Sequence, residues 1–294
     1  MSNLVLVNKP KGITSFRVVS ILKRKLNIKR IGHTGTLDPM ATGVLPLLTG
    51  RASRLSSLML DSEKGYKATI RLGITTDTLD ITGEVLSTSE VNITDSELKN
   101  AVKSFLGVYM QTPPMYSALK KDGVRLYDLA RQGIEVERTA REVEIKKIDF
   151  IERINETDFV IDVLCSKGTY IRTLANDIGE KLGVGATLLE LERTLAAGFK
   201  LTDCIPLEDI ENAADFYFLK SAEDAVKHLK EVKVSEKQAT RFLNGGALDL
   251  QRIHSRETFT DGEKLRVKYE SNFLGIGTVN LTKNQIDIGC IIKE

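Results

Sequence analysis

The residues best placed to do chemistry lie in Arg30-Ile31-Gly32-His33-Thr34-Gly35-Thr36-Leu37-Asp38-Pro39-Met40-Ala41-Thr42-Gly43, because Asp38 is the only acid among the first 60 residues. Those 60 residues also hold ten Lys and Arg, for a net charge of +9. Two readings of Asp38 follow. It is either the hinge of an Asp-Pro turn, or an ionised carboxylate for nucleophilic or electrostatic work on an anionic substrate. The nearby cations are expected to lower its pKa, which would make it a poor general acid. No second acid is near in sequence, so the paired-carboxylate route of glycoside hydrolysis has no local support. Gly35 and Gly43 let the loop bend and its backbone approach a ligand closely.

Other chemistries find little footing. Cys165, Cys204 and Cys290 are odd in number and far apart, and His33, His228 and His254 are equally dispersed. Neither set has disulfide or metal-site spacing, so no metal is expected. There is no P-loop, full GxGxxG or GxSxG motif, so no nucleotide cofactor is expected either. Composition is that of a soluble globular protein, with 41% hydrophobic and 28% charged residues. No apolar run approaches the roughly 18 residues of a membrane helix. Met1–Val7 enters a strand with no basic leader, which points to the cytoplasm. The whole-chain charge of +2 leaves −7 outside the first 60 residues. Such segregation suits a surface that meets a polyanion, with nucleic acid the usual candidate and a solvated basic helix the alternative.

Elements must position these residues. A strand at 4–7 leads through Asn8-Lys9-Pro10-Lys11-Gly12 to a helix capped by Thr14 or Ser15, with Val18, Val19, Leu22 and Leu26 on one face. A second helix is expected near 52–60. Residues 64–73 alternate, with Tyr66, Ala68, Ile70 and Leu72 on one side, as in a half-exposed strand. Thr94 and Glu97 form a capping box for a helix ending at Gly107. Pro113 and Pro114 exclude regular structure from 111–118, and the basic stretch 113–141 reads as a lid or gripping excursion. Strands at 142–149 and 158–164 precede a helix over 171–182 that stops at Gly183. The acidic stretch 205–231 reads as helical, with Ser221 and Asp224 in capping-box spacing. Beyond it come a short helix (235–244) and strands at 264–269, 273–280 and 285–292, the pattern of a small β-barrel.

Lys9-Pro10-Lys11-Gly12 followed by Gly32-His33-Thr34-Gly35-Thr36-Leu37-Asp38-Pro39 and Ala41-Thr42-Gly43-Val44-Leu45 resembles the bacterial TruB family of tRNA pseudouridine synthases. The resemblance continues through Lys64–Ala68, Leu72–Thr78, Gln111–Ala118, Gly123–Tyr127 and Cys165–Leu174, in order, over most of residues 4–200. It implies an α+β pseudouridine synthase fold with a mixed, mainly antiparallel sheet flanked by helices. It also implies an isomerase that converts uridine 55 of the tRNA T loop to pseudouridine, without cofactor or redox change. Asp38 would be the nucleophile and Arg172 the ion-pair partner that holds it. Tyr66 would stack on the target base and Tyr170 line its pocket, with Leu191 as pocket wall and Asp77 as a base contact. His33 would help displace the uridine from its stack, an extrusion that costs a few kcal/mol. Lys9 and the 23–30 basic run would meet phosphates. Glu192-Arg193 departs from the family's frequent Arg-Arg, which bears on the role of the family's first basic residue there and not on the pocket.

The expected organisation is a catalytic domain over 1–230, with the excursion at 113–141, and a PUA-like RNA-binding domain over 231–294. Phe242–Gly245 and Asn272–Gly277 carry the latter resemblance. The partner is expected to be the tRNA T-arm stem-loop, bound by a monomer. The rival reading is a non-catalytic tRNA-binding or folding factor on the same scaffold. A small-molecule enzyme using Asp38 fits the charge segregation poorly. Intact Asp38, Tyr66, Tyr170 and Arg172 favour the enzyme, since a pure binder has no need of them.

Overall fold

A computed structural model describes the whole chain except residues 1, 61, 118, 122, 254–257 and 293–294. Ala118 of the 111–118 stretch and His254 therefore lie outside the described residues. Seven main strands build the larger sheet: β1 (Asn3–Lys9), β2 (Thr42–Thr49), β3 (Lys64–Leu72), β4 (Gly107–Gln111), β5 (Arg141–Arg153), β6 (Asp158–Cys165) and β7 (Ala186–Ala196). Their order is β1-β2-β7-β3-β6-β5-β4. All neighbours are antiparallel except β2 and β7, which run parallel at Thr42–Glu192 and Gly43–Arg193. The sheet is mixed and mainly antiparallel, as expected.

The period-2 pattern of β3 does what its composition dictates. Tyr66, Ala68, Ile70 and Leu72 are buried, Lys67 is exposed, and Thr69 and Arg71 are half-buried. Three helices pack around the sheet: α1 (Ser15–Leu26), α2 (Asp95–Lys103) and α3 (Ile171–Lys181). Thr14 caps α1, its hydroxyl accepting from the Arg17 N–H at 3.0 Å. The apolar stripe Val18, Val19, Leu22 and Leu26 then buries against Val5, Val7, Leu45 and Leu47. Thr94 and Glu97 form the expected capping box on α2, but that helix ends at Ser104, before Gly107. Gly107, at φ +100°, opens β4 instead.

Three sequence expectations differ. The helix near 52–60 is a 3-10 stretch (Gly50–Leu55) running into one α turn (Ser56–Met59). The Ser53 hydroxyl donates to Gly50 O and the Ser56 hydroxyl to Ser53 O, both at 2.8 Å, local bonds that compete with a regular helix. The stretch 205–231 is not a continuous helix. The free edge of β1 captures parts of it at its two ends: Ile205–Pro206 pairs parallel, Lys220–Ser221 antiparallel. Ser221 caps a short 3-10 turn through the Glu223 N–H and forms no box with Asp224. Finally, β2 and β7 carry the floor of the site although neither was legible as a strand.

The C-terminal sheet joins β8 (Lys264–Tyr269), β9 (Asn272–Asn280) and β10 (Gln285–Ile291), with Glu231–Lys233 and Leu248–Asp249 at its edges. Helix α4 (Glu236–Leu243), with a Ser235/Gln238 capping box, covers its core. The two sheets are not insulated. Ile276 and Ile292 share one core with Leu4, Leu6, Leu48, Leu55, Met59 and Val226. A half-buried ionic cluster lies at the same junction, where the carboxylate of Glu223 meets Arg266 and Lys268 (3.1 Å).

Candidate active site

The loop carrying Asp38 is held by its neighbours on three sides. From the preceding turn, the Gly12 N–H donates to Pro39 O at 2.8 Å. From α1, the Ser15 hydroxyl accepts from the Leu37 N–H (2.8 Å) and donates to Leu37 O (3.1 Å). From β7, Arg193 reaches under the loop. Its Nε donates to Val44 O at 2.8 Å and its Nη2 to Gly35 O at 3.2 Å. Leu37, Met40 and Ala41 pin the loop into the main core. Asp38 is thus a rigidly presented residue, not only a turn former.

Lys9 belongs to this scaffold. It is fully buried, and its ammonium donates to Pro10 O (2.9 Å), Ile13 O (2.8 Å) and Pro39 O (3.3 Å). Three donors with three carbonyl acceptors leave nothing for a phosphate, so the expected phosphate contact is corrected to a support of the loop. Burial pushes its pKa down to about 8, against the pull of Asp38. Lys25 is likewise engaged, donating to Glu211 O (2.9 Å) and Ala213 O (2.6 Å).

Arg172, the second residue of α3, meets the Asp38 carboxylate, Nε to Oδ2, at 3.0 Å. Its Nη1 lies 3.5 Å from Oδ2 of Asp80 and donates to Thr78 O at 3.0 Å; its Nη2 donates to Tyr116 O at 2.8 Å. The guanidinium is buried and bridges two carboxylates, a fork geometry that lysine does not offer. In the sequence, Asp80 stands in a Thr/Asp/Gly stretch whose composition suits a turn. Its Oδ1 indeed accepts from the Thr82 N–H at 3.0 Å and the Thr78 hydroxyl at 3.0 Å, while Oδ2 faces Arg172. Turn and site use opposite oxygens of one carboxylate, so the turn signal hid the other role.

About 37% of the Asp38 side chain remains accessible. Its pKa is nonetheless raised, because loss of hydration outweighs the attraction of Arg172, and Asp80 pushes it further up. The expected lowering by surrounding cations is therefore reversed in direction. Tyr66 sits opposite Arg193 in the β3–β7 register. Burial pushes this phenol up to about 12, so it stays protonated at neutral pH. Leu191, one inward position along β7, packs with Leu37 and Met40. Tyr170 caps the start of α3 with the Arg141 guanidinium over its ring at 5.0 Å. His33 lies on the short strand Ile31–His33, its Nδ1 accepting from the Gly35 N–H at 3.3 Å. Burial and then Arg193 lower its pKa, so the ring is neutral at neutral pH. Asp77 is engaged within the structure: Oδ1 accepts from the Glu84 N–H (2.8 Å) and Oδ2 from the Tyr116 hydroxyl (3.0 Å). Among the described residues, no group of three or more His, Cys, Asp or Glu is arranged to hold a metal ion.

Arg193 was also missed as a site residue. Its signal is the strand period: inward Leu191 implies inward Arg193 two residues on, once 186–196 is recognised as a strand. Gly43 is a point of close approach in the site. A Cβ there would lie 2.3 Å from Arg193 O, at φ +102°. Gly43→Ala is expected to lower the melting temperature and turnover together, with a stability loss of about 2 kcal/mol or more. Thermal denaturation beside a turnover assay checks it, and a variant unchanged in both would refute the close approach.

The mixed sheet thus carries a helix-borne arginine and the loop carboxylate it holds. A chain in the crystal structure of a Cbf5-Nop10-Gar1 complex superimposes with a TM-score of 0.75 at 26% identity, covering 99% of this chain and 85% of that one. Fold and family matches together define a pseudouridine synthase. The profile of the TruB family pseudouridylate synthase (N terminal domain) matches residues 23–171, and that of the tRNA pseudouridylate synthase B C-terminal domain matches residues 172–232. The tRNA pseudouridine synthase B of Alkaliphilus oremlandii is 43% identical over 282 residues, 95% of this chain and 93% of its own. That of Clostridium perfringens is 44% identical over 280 residues, 94% and 95% of the two chains. The chain belongs to the TruB family.

Proposed function

We propose that the enzyme isomerises the uridine at position 55 of the tRNA T loop, acting as a cytoplasmic monomer with Asp38 as nucleophile. The observation that carries this reading is the Asp38–Arg172–Asp80 bridge, buried on its arginine side and open to solvent at Asp38, in the most basic part of the chain. In the reaction the C1′–N1 bond breaks, the base turns, and C1′ joins C5. The C5 proton leaves and N1 gains one, so no electrons are exchanged and no cofactor is required. Asp38 must be ionised to act, and Arg172 both aims it and favours that form. The neutral phenol of Tyr66 offers the base a protonated aromatic, Leu191 and Tyr170 wall the pocket, and neutral His33 fills the place of the extruded base. Asp77 acts at one remove, by holding Tyr116. Residues 231–294 grip the RNA away from the reacting base.

The test is release of label from C5 of uridine in a T-arm stem-loop. Wild-type protein is expected to release it stoichiometrically with product. A stem-loop that binds without releasing label would leave only the binding-factor reading.

Phosphate contacts fall to the remaining cations on and near α1, exposed Arg24, Lys29 and Arg30 and half-buried Lys23, because Lys9 and Lys25 are engaged internally. Lys23→Gln is expected to weaken binding and to reduce the slope of log K against log salt by about 1. Titration of the stem-loop at several salt concentrations measures this. An unchanged slope takes Lys23 out of the interface.

A further inference from the structure

Both ends of the basic excursion return to one turn, the one leading into Arg172. Gln111 ends β4, Arg141 begins β5, and the two are partners in the β4–β5 register. Gln111 is 1% exposed, and its amide grips the Tyr170 peptide from both sides. Nε2 donates to Tyr170 O at 3.0 Å, and Oε1 accepts from the Tyr170 N–H at 2.8 Å. Tyr170 O also receives the first helical bond of α3, from the Leu174 N–H at 3.1 Å. Arg141 covers the outer side of the same turn. Its Nη2 donates to Gly168 O, and its guanidinium lies over the Tyr170 ring.

What orients the Gln111 amide is the polar chain behind it. The second Nε2 hydrogen goes to the Tyr109 phenolic oxygen, and the Tyr109 hydroxyl faces the Asp177 carboxylate on α3. An ionised carboxylate only accepts. The Tyr109 hydroxyl hydrogen therefore turns toward Asp177, the phenolic oxygen accepts from Gln111, and the amide oxygen is left facing the Tyr170 N–H. Burial pushes Asp177 up to about 6, so the chain has this polarity at neutral pH. A buried network with every member paired is rigid, and an unpaired member is costly.

We propose that Gln111, oriented by Tyr109 and Asp177, together with Arg141, are positioning residues that set Tyr170 and, through the first turn of α3, hold Arg172 against Asp38. None of them touches the reacting atoms. The proposal rests on the roles assigned above to Tyr170, Arg172 and Asp38, and it accounts for a buried glutamine, a tyrosine and an aspartate which that reading leaves unused.

Single-turnover kinetics and stem-loop binding separate positioning from binding or plain stability. Gln111→Ala is expected to lower kcat by about ten- to a hundredfold. Affinity for the stem-loop, measured in an Asp38→Asn background, should stay within about twofold, because no RNA contact is removed. Arg141→Lys, which keeps the charge but not the planar fork, should lose kcat nearly as Arg141→Met does. Gln111→Ala and Tyr109→Phe should be non-additive in kcat, since they break one chain. If Gln111→Ala fails to fold, Tyr109→Phe alone decides, with a kcat loss of about threefold or more expected at unchanged affinity. Wild-type kcat in the deciding variant overturns the proposal, as does a loss confined to affinity or to melting temperature. A failure of the underlying reading looks different: Asp38→Asn would then itself release label. An inactive Asp38→Asn beside a fully active Gln111→Ala sinks the positioning role alone.

Discussion

Asp38→Asn is expected to lose at least about a thousandfold in turnover while binding the stem-loop as wild type does. Asparagine keeps the size and the hydrogen-bonding side chain but is no nucleophile, and removal of a group that forms the covalent bond costs orders of magnitude. The same substitution should not destabilise the fold. The Asp38 pKa is raised in the folded state, chiefly by burial. A group whose folded pKa lies above its unfolded one favours the fold when protonated, and that stability is lost as pH rises through the folded pKa. At neutral pH the ionised carboxylate is therefore a cost borne for function. Asparagine should match or exceed the wild-type melting temperature there, and its advantage should shrink as acid protonates the wild type. Melting curves at neutral and mildly acidic pH measure this. A neutral-pH melt well below wild type would show that Arg172 needs the Asp38 charge more than burial penalises it. The raised pKa shifts the acid limb of wild-type activity upward in pH.

Arg172→Met should remove both activity and much of the stability. Two carboxylates lose their shared cation: Asp80, which is 4% exposed, and Asp38, which keeps some solvent. Breaking a buried pair leaves uncompensated charge at about 3–5 kcal/mol, and the exposed share of Asp38 argues for the lower end. Thr78 O and Tyr116 O lose their donor as well, so the excursion loosens at Tyr116. Acidification should recover part of the lost stability by neutralising the carboxylates, opposite in sense to ordinary acid denaturation. Urea melts at neutral and mildly acidic pH decide the matter. Equal losses at both would mean the role of Arg172 is packing, not charge. Arg172→Lys should fall between, because a point charge cannot serve two carboxylates and two carbonyls at once.

What could be read from the sequence divides along physical lines. Helix starts with side-chain caps, at Thr14 and Thr94, were legible because the signal is local. So was β3, whose alternation records one buried face. The strand β2 was not, because Pro46 interrupts its apolar run and proline argues against a central strand. The topology removes the objection. Pro46 pairs with Leu6 on one side, while on the other β7 covers only Thr42–Gly43 and Ile31–His33 covers Leu47–Thr49. Pro46 falls in the gap, where no N–H is needed. Asp38 and Arg172 were found through a family resemblance, and no local rule joins residues 134 positions apart. Asp80, Gln111 and Arg193 were missed because each also looks like something ordinary: a turn, a loop start, a surface cation. Lys9 was misjudged for a related reason. Its charge was legible, but not the three carbonyls that bury it.

The core shared by the two sheets has a mechanical consequence. Leu4 and Leu6 on β1, the strand that runs into the Lys9 turn, pack in the same cluster as Ile276 and Ile292. The C-terminal module is therefore no tethered accessory but part of the wall packed against β1. Cutting the chain near 231 would strip that wall and uncover aliphatic surface on the strand leading to Lys9. The molecule should melt in one transition and act as a caliper of fixed opening, so that adjustment on docking falls to the RNA.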